Sequence, residues 1–305
     1  MKIFTGGSNS TLAQKVVENL GTQLANLEVH VFPDEEKRYR VVDSVVGQDC
    51  AVIQSTSTRA DRNYMELFFI VDALSRSGAK SVTVVMPYMG YQRQDHVFRD
   101  GEAVSLEVAV KTLEAVGVTK LISFDLHSIK IPEMFKIPVT HLSALPLFAQ
   151  KIKEMEKTLD HFVLITPDMG GIRRIKILSE LLDNMPYASI VKNRDLVTGG
   201  VEAKDIELPK GTTLSGKTVV IVDDMISSGG TIVKAAQLLR KNGVAKTYVF
   251  ATHPVLSQNS PEILQEADVE KVYVTDTIAV SPKKRFPKLD FITVADMIAK
   301  EISKS

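Results

Sequence analysis

Short β-branched, apolar runs alternate with longer amphipathic stretches from one end of this 305-residue chain to the other. The runs Lys2–Phe4, Glu28–Phe32, Ala51–Gln54, Ser81–Met86, Leu121–Asp125, Phe162–Thr166, Ala188–Val191, Thr218–Val222, Lys246–Thr252, Lys271–Thr275 and Phe291–Thr293 read as strands. Between them, Ser10–Leu20, Asn63–Ser77, Ser105–Ala115, Leu145–Glu156, Gly171–Leu182 and Thr231–Asn242 carry apolar residues at helical spacing. A continuous apolar run is what a strand buried on both faces requires, and helices must then cover both faces. The pattern predicts an α/β fold with mostly parallel sheets.

Ile137-Pro138 and Leu145-Pro146 interrupt the rhythm near residue 145, which divides the chain into two similar doubly wound halves, 1–145 and 146–305. The tail Val294–Ser305 reads as a closing helix that packs back on the N-terminal half. Ser105 and Gly117 are expected to cap the entry and exit of one helix. With 44% apolar and 24% charged residues, a chain of this length can bury two domain-sized cores. Lys plus Arg (37) balance Asp plus Glu (37), so no net field draws the molecule to nucleic acid or to an anionic membrane. No leader and no membrane helix is expected, since no apolar run approaches the roughly 20 residues a bilayer needs. The single cysteine, Cys50, cannot form an internal disulfide and reads as a core thiol in a reducing cytoplasm. In that compartment the sequon Asn9-Ser10-Thr11 has no meaning.

The strongest local signal is Thr218–Thr231, TVVIVDDMISSGGT. An apolar strand runs to Asp223 and Asp224 at its carboxyl end, where open α/β sheets bind ligands. Ser227, Ser228, Gly229, Gly230 and Thr231 then lead straight into a helix. Two glycines let the backbone approach closely, and its N–H groups can converge on a phosphate at the positive helix end. A competing signal, Gly211–Thr218 (GTTLSGKT), fits the Walker A pattern letter for letter. A P-loop must follow a strand and open a helix, whereas this stretch opens a strand, so the nucleotide reading fails on context.

Other strand ends carry chemistry too. Tyr88–Asp95 (YMGYQRQD) offers the Arg93 guanidinium and the Gln94 amide. Phe124–Ser128 (FDLHS) sets Asp125 and His127 two apart, a spacing that can share a divalent metal or its water shell. Thr166–Arg174 (TPDMGGIRR) places Asp168 before a glycine pair and a helix start, suited to a diphosphate and Mg²⁺, with Arg173 and Arg174 either ligating or facing water. Lys192 and Arg194 lead into Asn193–Gly216, a long polar stretch with little regular pattern.

Thr218–Thr231 resembles the phosphoribosyl-diphosphate-binding motif of type I phosphoribosyltransferases and of ribose-phosphate diphosphokinases. Over nearly its whole length the chain is similar to the ribose-phosphate diphosphokinase (phosphoribosyl-diphosphate synthetase) family. Lys2-Ile3-Phe4-Thr5-Gly6, Phe32-Pro33-Asp34-Glu35-Glu36, Arg93-Gln94-Asp95, Asp125-Leu126-His127, Pro167-Asp168-Met169-Gly170-Gly171 and Lys192-Asn193-Arg194 carry the likeness, in order, together with the ribose loop. The resemblance implies two Rossmann-like domains of phosphoribosyltransferase type, ATP bound by the N-terminal half and ribose 5-phosphate by the C-terminal half. It implies transfer of the diphosphoryl group of ATP to O1 of ribose 5-phosphate, with Mg²⁺ and a homo-oligomer built from dimers. Phe32, Asp34 and Glu36 would meet adenine, Arg93 and Gln94 the nucleotide, and His127 and Asp168 the metal and diphosphate. Lys192 and Arg194 would stabilise the transition state, while Asp223, Asp224, Ser227, Ser228, Gly229, Gly230 and Thr231 would hold ribose 5-phosphate.

Many members have an Arg, a small residue and Pro where this chain reads Arg99–Val104, RDGEAV, a wording nearer the archaeal type. Gly101 and Glu102 remove a cation and add an anion there, which speaks against the regulatory nucleotide and phosphate site of those members. A phosphoribosyltransferase, or a non-catalytic regulatory homologue, would leave Arg93-Gln94 and Lys192-Asn193-Arg194 unexplained or lost.

Overall fold

The computed structural model describes residues 1–156, 162–194, 201–208 and 213–304, with the backbone alone for 191–194 and 201–205. The elements run β1 (Lys2–Thr5), α1 (Ser10–Asn19), β2 (Leu27–Val31), β3 (Lys37–Val41), β4 (Asp49–Ile53), α2 (Ala60–Arg76), β5 (Ser81–Met86), α3 (Ser105–Ala115), β6 (Lys120–Phe124), β7 (Val139–Leu142), α4 (Leu145–Glu156), β8 (Phe162–Thr166), α5 (Ile172–Leu181), β9 (Tyr187–Arg194), β10 (Val201–Glu207), β11 (Thr218–Ile226), α6 (Gly230–Lys241), β12 (Lys246–Pro254), α7 (Ser260–Glu266), β13 (Lys271–Thr275), β14 (Leu289–Ile292) and α8 (Ala295–Ile302). They form two compact units: Met1–Leu142 with Thr277–Ala279 and Thr293–Ser305, and Ser143–Asp276 with Val280–Ile292.

The first unit holds a parallel sheet in the order β1-β4-β5-β6-β7. Its core joins Phe4, Val52, Val84 and Met86 to Leu67, Ile70 and Leu74, the buried stripe of α2. The run expected as a parallel strand at Glu28–Phe32 lies elsewhere. It pairs antiparallel with β3 in a separate two-stranded ribbon and is mostly exposed. Exposure alternates along β3 as in a ribbon with one wet face, but charges at Lys37, Arg38 and Arg40 leave no apolar alternation for periodicity to show. α8 packs against α1, and its Glu301 meets Lys120 Nζ at 3.2 Å. Cys50 is fully buried, and burial pushes its thiol up from the ordinary range.

The second unit holds seven strands in the order β10-β9-β8-β11-β12-β13-β14, all parallel except the β10–β9 pair. Alternate residues of one strand feed two cores. Val163, Ile165, Val219 and Ile221 pack with Ile232, Ala236 and Leu264, whereas Phe162, Leu164, Val220 and Val222 pack with Phe148, Ile152 and Leu178. Opposite faces of the sheet are therefore both covered, as the continuous apolar strands require.

The structure differs from the sequence reading at two further points. The polar stretch after Val191 is partly regular: β9 runs on to Arg194 and β10 pairs back with it, Arg194 opposite Val201 and Lys192 opposite Ala203. Pairing with a neighbouring strand ordered a segment whose own composition is too polar to announce one. Ser105 does not cap α3. The cap position is Val104, and the Ser105 hydroxyl instead donates to Gln94 Oε1 at 2.6 Å. At the Walker-like stretch, Gly211 and Thr212 lie outside the described residues. Gly216 N–H donates to Gly243 O (2.8 Å), Lys217 N–H to Leu214 O (3.0 Å), and Thr218 opens β11. No helix of the described residues is long and apolar enough to cross a membrane.

Candidate active site

In the second unit, β11 pairs with β8 only as far as Ile221, but continues beside β12 to Ile226. The protruding segment carries the acids, so Asp223 and Asp224 lie within the strand rather than beyond its end. Asp224 is buried, and its N–H donates to Asp223 Oδ1 at 2.9 Å. Arg174, from the first turn of α5, reaches both carboxylates: Nη1 stands 3.8 Å from Asp223 Oδ1 and Nη2 3.8 Å from Asp224 Oδ2. The sequence left Arg174 undecided, and the fold turns it onto the acid pair, while Arg173 is exposed. Burial first, and then the Asp224 charge, push the Asp223 carboxyl well above the usual carboxylate range, with Arg174 opposing them.

That shift has a sign. The folded chain binds the Asp223 proton more tightly than the unfolded chain, whose aspartates titrate near about 3.9. Its stability contribution is therefore full below that value and is lost as pH rises through the raised folded pKa. Asp223→Asn, which resembles the protonated acid, is expected to melt like wild type at pH 3.5. Its advantage should grow toward pH 8, by about 1.4 kcal/mol for each tenfold difference in proton affinity between the states. Melting curves at several pH values test this, and a pH-independent difference would refute it.

Beyond β11, the loop is stitched to the segment after β12. Leu256 N–H donates to Ile226 O and Ser257 N–H to Ser227 O, both at 2.9 Å, and the Ser227 and Ser257 hydroxyls meet at 3.2 Å. Gly229 caps α6 with a φ of +81° and brings no capping side chain. Among the described residues, the N–H groups of Gly229, Gly230 and Thr231 have no acceptor. No acid stands in the first turn, so the helix end is open to an anion.

Asp168 follows β8 in extended conformation, half-buried. Its carbonyl accepts from Thr166 Oγ1 (3.1 Å) and Gly171 N–H (3.3 Å). A Cβ on Gly171 would collide with Thr166 Oγ1, so this turn needs glycine. Lys192 and Arg194 lie on the β9 backbone, but their side chains lie outside the described residues.

In the first unit, Arg93, Gln94 and His127 stand at the carboxyl ends of β5 and β6, exposed, on turns held from beneath. Asp125 adopts a φ of +32°, and three successive amides after β6 are each given an acceptor. Asp125 N–H donates to Leu142 O (2.9 Å), Leu126 N–H to His141 Nε2 (2.9 Å) and His127 N–H to Gln92 Oε1 (3.0 Å). Gln92 and His141 had no signal in the sequence, because a partner reached across neighbouring strands is set by tertiary geometry. Phe32, Asp34 and Glu36 sit at the tip of the β2–β3 ribbon. Phe32 N–H donates to Glu36 O (2.8 Å), Glu36 N–H to Asp34 Oδ1 (3.2 Å), and Phe32 is 37% exposed. The ribbon leans on α2, with the Tyr39 and Phe69 rings 6.0 Å apart, and bounds a cleft of about 660 Å³ walled by Val31, Glu36, Met65 and Phe69. Glu102 folds back to accept the N–H groups of Phe98 and Arg99, both at 3.0 Å.

The sequence pattern of the N-terminal domain of ribose phosphate pyrophosphokinase matches residues 1–117, and that of the phosphoribosyl synthetase-associated domain matches residues 204–305. "Ribose-phosphate pyrophosphokinase 2" of Enterococcus faecalis is 36% identical over 304 residues, covering 100% of this chain and 92% of the relative. "Ribose-phosphate pyrophosphokinase" of Fusobacterium nucleatum is 35% identical over 304 residues, covering 100% and 94%. The crystal structure of phosphoribosylpyrophosphate synthetase from Mycobacterium smegmatis superposes with a TM-score of 0.91 at 32% identity, covering 99% of this chain and 97% of the other.

Proposed function

We propose, because the chain belongs to the ribose-phosphate pyrophosphokinase family, that its second unit receives ribose 5-phosphate as acceptor and its first unit receives ATP as donor. The protein is a diphosphotransferase that makes phosphoribosyl diphosphate and AMP. The observation that carries the residue assignment is the uncapped start of α6 after the Asp223-Asp224 pair: free N–H groups for a phosphate beside carboxylates for a ribose diol. Ser227, Ser228, Gly229, Gly230 and Thr231 hold the 5-phosphate, and Asp223 and Asp224 accept from the ribose hydroxyls. Arg174 keeps the acids partly neutralised until the sugar arrives.

The O1 oxygen attacks the β-phosphorus of ATP; the bond from that phosphorus to the α,β-bridging oxygen breaks, and AMP leaves. Such a transfer needs alignment and charge neutralisation more than a strong base. Phe32, Asp34 and Glu36 contact the adenine, Arg93 and Gln94 the rest of the nucleotide, and Lys192 and Arg194 meet the charge that spreads over the transferring group. Asp168 offers the kind of oxygen donor that Mg²⁺ takes. No cluster of three ligand-type side chains occurs among the described residues, and Mg²⁺ is commonly held by one or two carboxylates plus substrate phosphates. His127 and Asp168 would hold it, and when bound it neutralises charge on the diphosphoryl group. The assembly is a homo-oligomer built from dimers, acting in the cytoplasm.

Incubation with ATP, Mg²⁺ and ribose 5-phosphate should release AMP in equal amount to phosphoribosyl diphosphate. Absence of AMP across varied metal and phosphate concentrations would refute the assignment.

A further inference from the structure

We propose that Glu66 of α2 is a positioning residue for the donor nucleotide, clamping the β2–β3 ribbon to the strand-end loops of the first unit so that Phe32, Asp34 and Glu36 stand where adenine meets them. This role rests on the assignment of those three residues to adenine. Glu66 lies among the buried residues of α2 and is 9% exposed. A carboxylate so placed is costly unless its oxygens are paired or hydrogen-bonded, and here both are. Oε2 accepts from Gly7 N–H (3.0 Å) and Gln54 Nε2 (2.8 Å), whereas Oε1 accepts from Tyr39 OH (3.0 Å) and has Lys37 Nζ at 3.9 Å.

The two oxygens serve different parts of the unit. Gly7 comes just after β1 and Gln54 just after β4, so Oε2 faces the carboxyl ends of the parallel sheet. That side is fixed without Glu66. Gln54 is fully buried, its Oε1 accepts from Ser8 N–H (3.1 Å) and the Ser8 hydroxyl (2.7 Å), and a Cβ on Gly6 would collide with its amide. Glycine at position 6 lets the turn after β1 close on this pair, which gives the Lys2–Gly6 run a use that the substrate assignments left open.

Oε1 belongs to the ribbon. Lys37 and Tyr39 are half-buried on one face of β3, and Lys37 directly follows Glu36. Among the described residues, the hydrogen bonds and ion pairs that run from the ribbon to another element end on this oxygen. Arg40 with Glu28, and Asn26 with Asp43, join only the ribbon's own strands and flanks. The Tyr39 and Phe69 rings, 6.0 Å apart, add apolar contact, which has no directional preference of its own. Burial, then the Glu66 charge, push the Tyr39 phenol up from its ordinary range, so it stays a donor to Oε1 at neutral pH. At about 3.4 Å per residue, Tyr39 stands roughly 10 Å from Glu36, so a tilt of about 10° at the clamp moves the tip by about 2 Å.

Steady-state kinetics on the full-length enzyme test the clamp. Tyr39→Phe removes the ribbon's hydrogen bond and leaves the Oε2 side whole. It should raise the KM for ATP about five- to tenfold, with kcat and the KM for ribose 5-phosphate within about twofold of wild type. Glu66→Ala should raise the KM for ATP at least about twentyfold, and adding Tyr39→Phe to it should change that value by less than about twofold, because the phenol has already lost its partner. Glu66→Gln, whose amide can accept from Gly7 N–H and donate to the Tyr39 oxygen, should return the KM to within about threefold of wild type. A purely structural role would lower the melting temperature without separating the two substrates. Where Glu66→Ala does not fold, Tyr39→Phe and Glu66→Gln still decide. Phe32→Ala is measured alongside. If it raises the KM for ATP and Tyr39→Phe does not, the clamp is overturned and the adenine assignment stands; if neither raises it, both fall.

Discussion

A Lys192→Ala enzyme is expected to release AMP about 100- to 1,000-fold more slowly at saturating substrates, with its KM for ATP changed less than about threefold. The reason lies in when charge appears. As the diphosphoryl group passes between oxygens, negative charge spreads over its equatorial oxygens, and a cation placed for that moment binds the transition state more tightly than bound ATP. Losing such a contact lowers kcat and kcat/KM alike, whereas losing a ground-state contact raises KM alone. The backbone of Lys192 lies on β9 opposite Ala203, beside a register shift in β10 between Ala203 and Asp205. Arg194→Ala should lose rate in the same manner. The double variant should lose less than the product of the two, because both act on one charge. Steady-state kinetics with varied ATP decide it: an increase in KM with kcat preserved would remove Lys192 from the transition state.

Gly229→Ala is expected to raise the KM for ribose 5-phosphate about 10- to 100-fold while leaving the KM for ATP unchanged. Two independent restraints meet at this residue. Its φ of +81° is strained for alanine, and a Cβ would stand 3.2 Å from Leu264 Cγ on α7. Relief of either shifts the N-terminus of α6, and with it the amides that the phosphate would meet. A strand-to-helix phosphate cradle depends on backbone position, so a shift of a few tenths of an ångström weakens several hydrogen bonds together. Equal affinity for ribose 5-phosphate in this variant would place the phosphate elsewhere.

The sequence discloses β11 and α6 well because their physics is local. Val219–Val222 is buried on both faces, so no alternation competes with its apolar run, and α6 keeps a clean stripe of Ile232, Ala235, Ala236 and Leu239. The elements it hides are those whose reason is a neighbour. β3 and β10 are polar and exist because a partner strand pairs with them; α7 is seven residues long and carries Pro261 in its first turn. The same division holds at the site. Asp223, Asp224 and the glycine loop announce themselves through order along the chain. Arg174 becomes part of that site only when α5 swings its first turn over the β11 acids. Gln92 and His141 become supports of the His127 turn only once β5, β6 and β7 lie side by side. Phe32, Asp34 and Glu36 say little without the resemblance, because a charged ribbon tip has no pattern that distinguishes binding from solvation.

One consequence of the helix order concerns time rather than space. The unit whose strands begin at Lys2 is completed by residues 293–304, which pack as α8 against α1. A chain leaving the ribosome therefore presents the first sheet early but withholds α8 until the whole of the second unit has been made. The second unit interrupts that wait, and all of it except Val280–Ile292 is translated before Thr277 appears. The half that emerges first is the half that finishes last, and until then the apolar side of α1 stands open to whatever chaperone or stray chain meets it first.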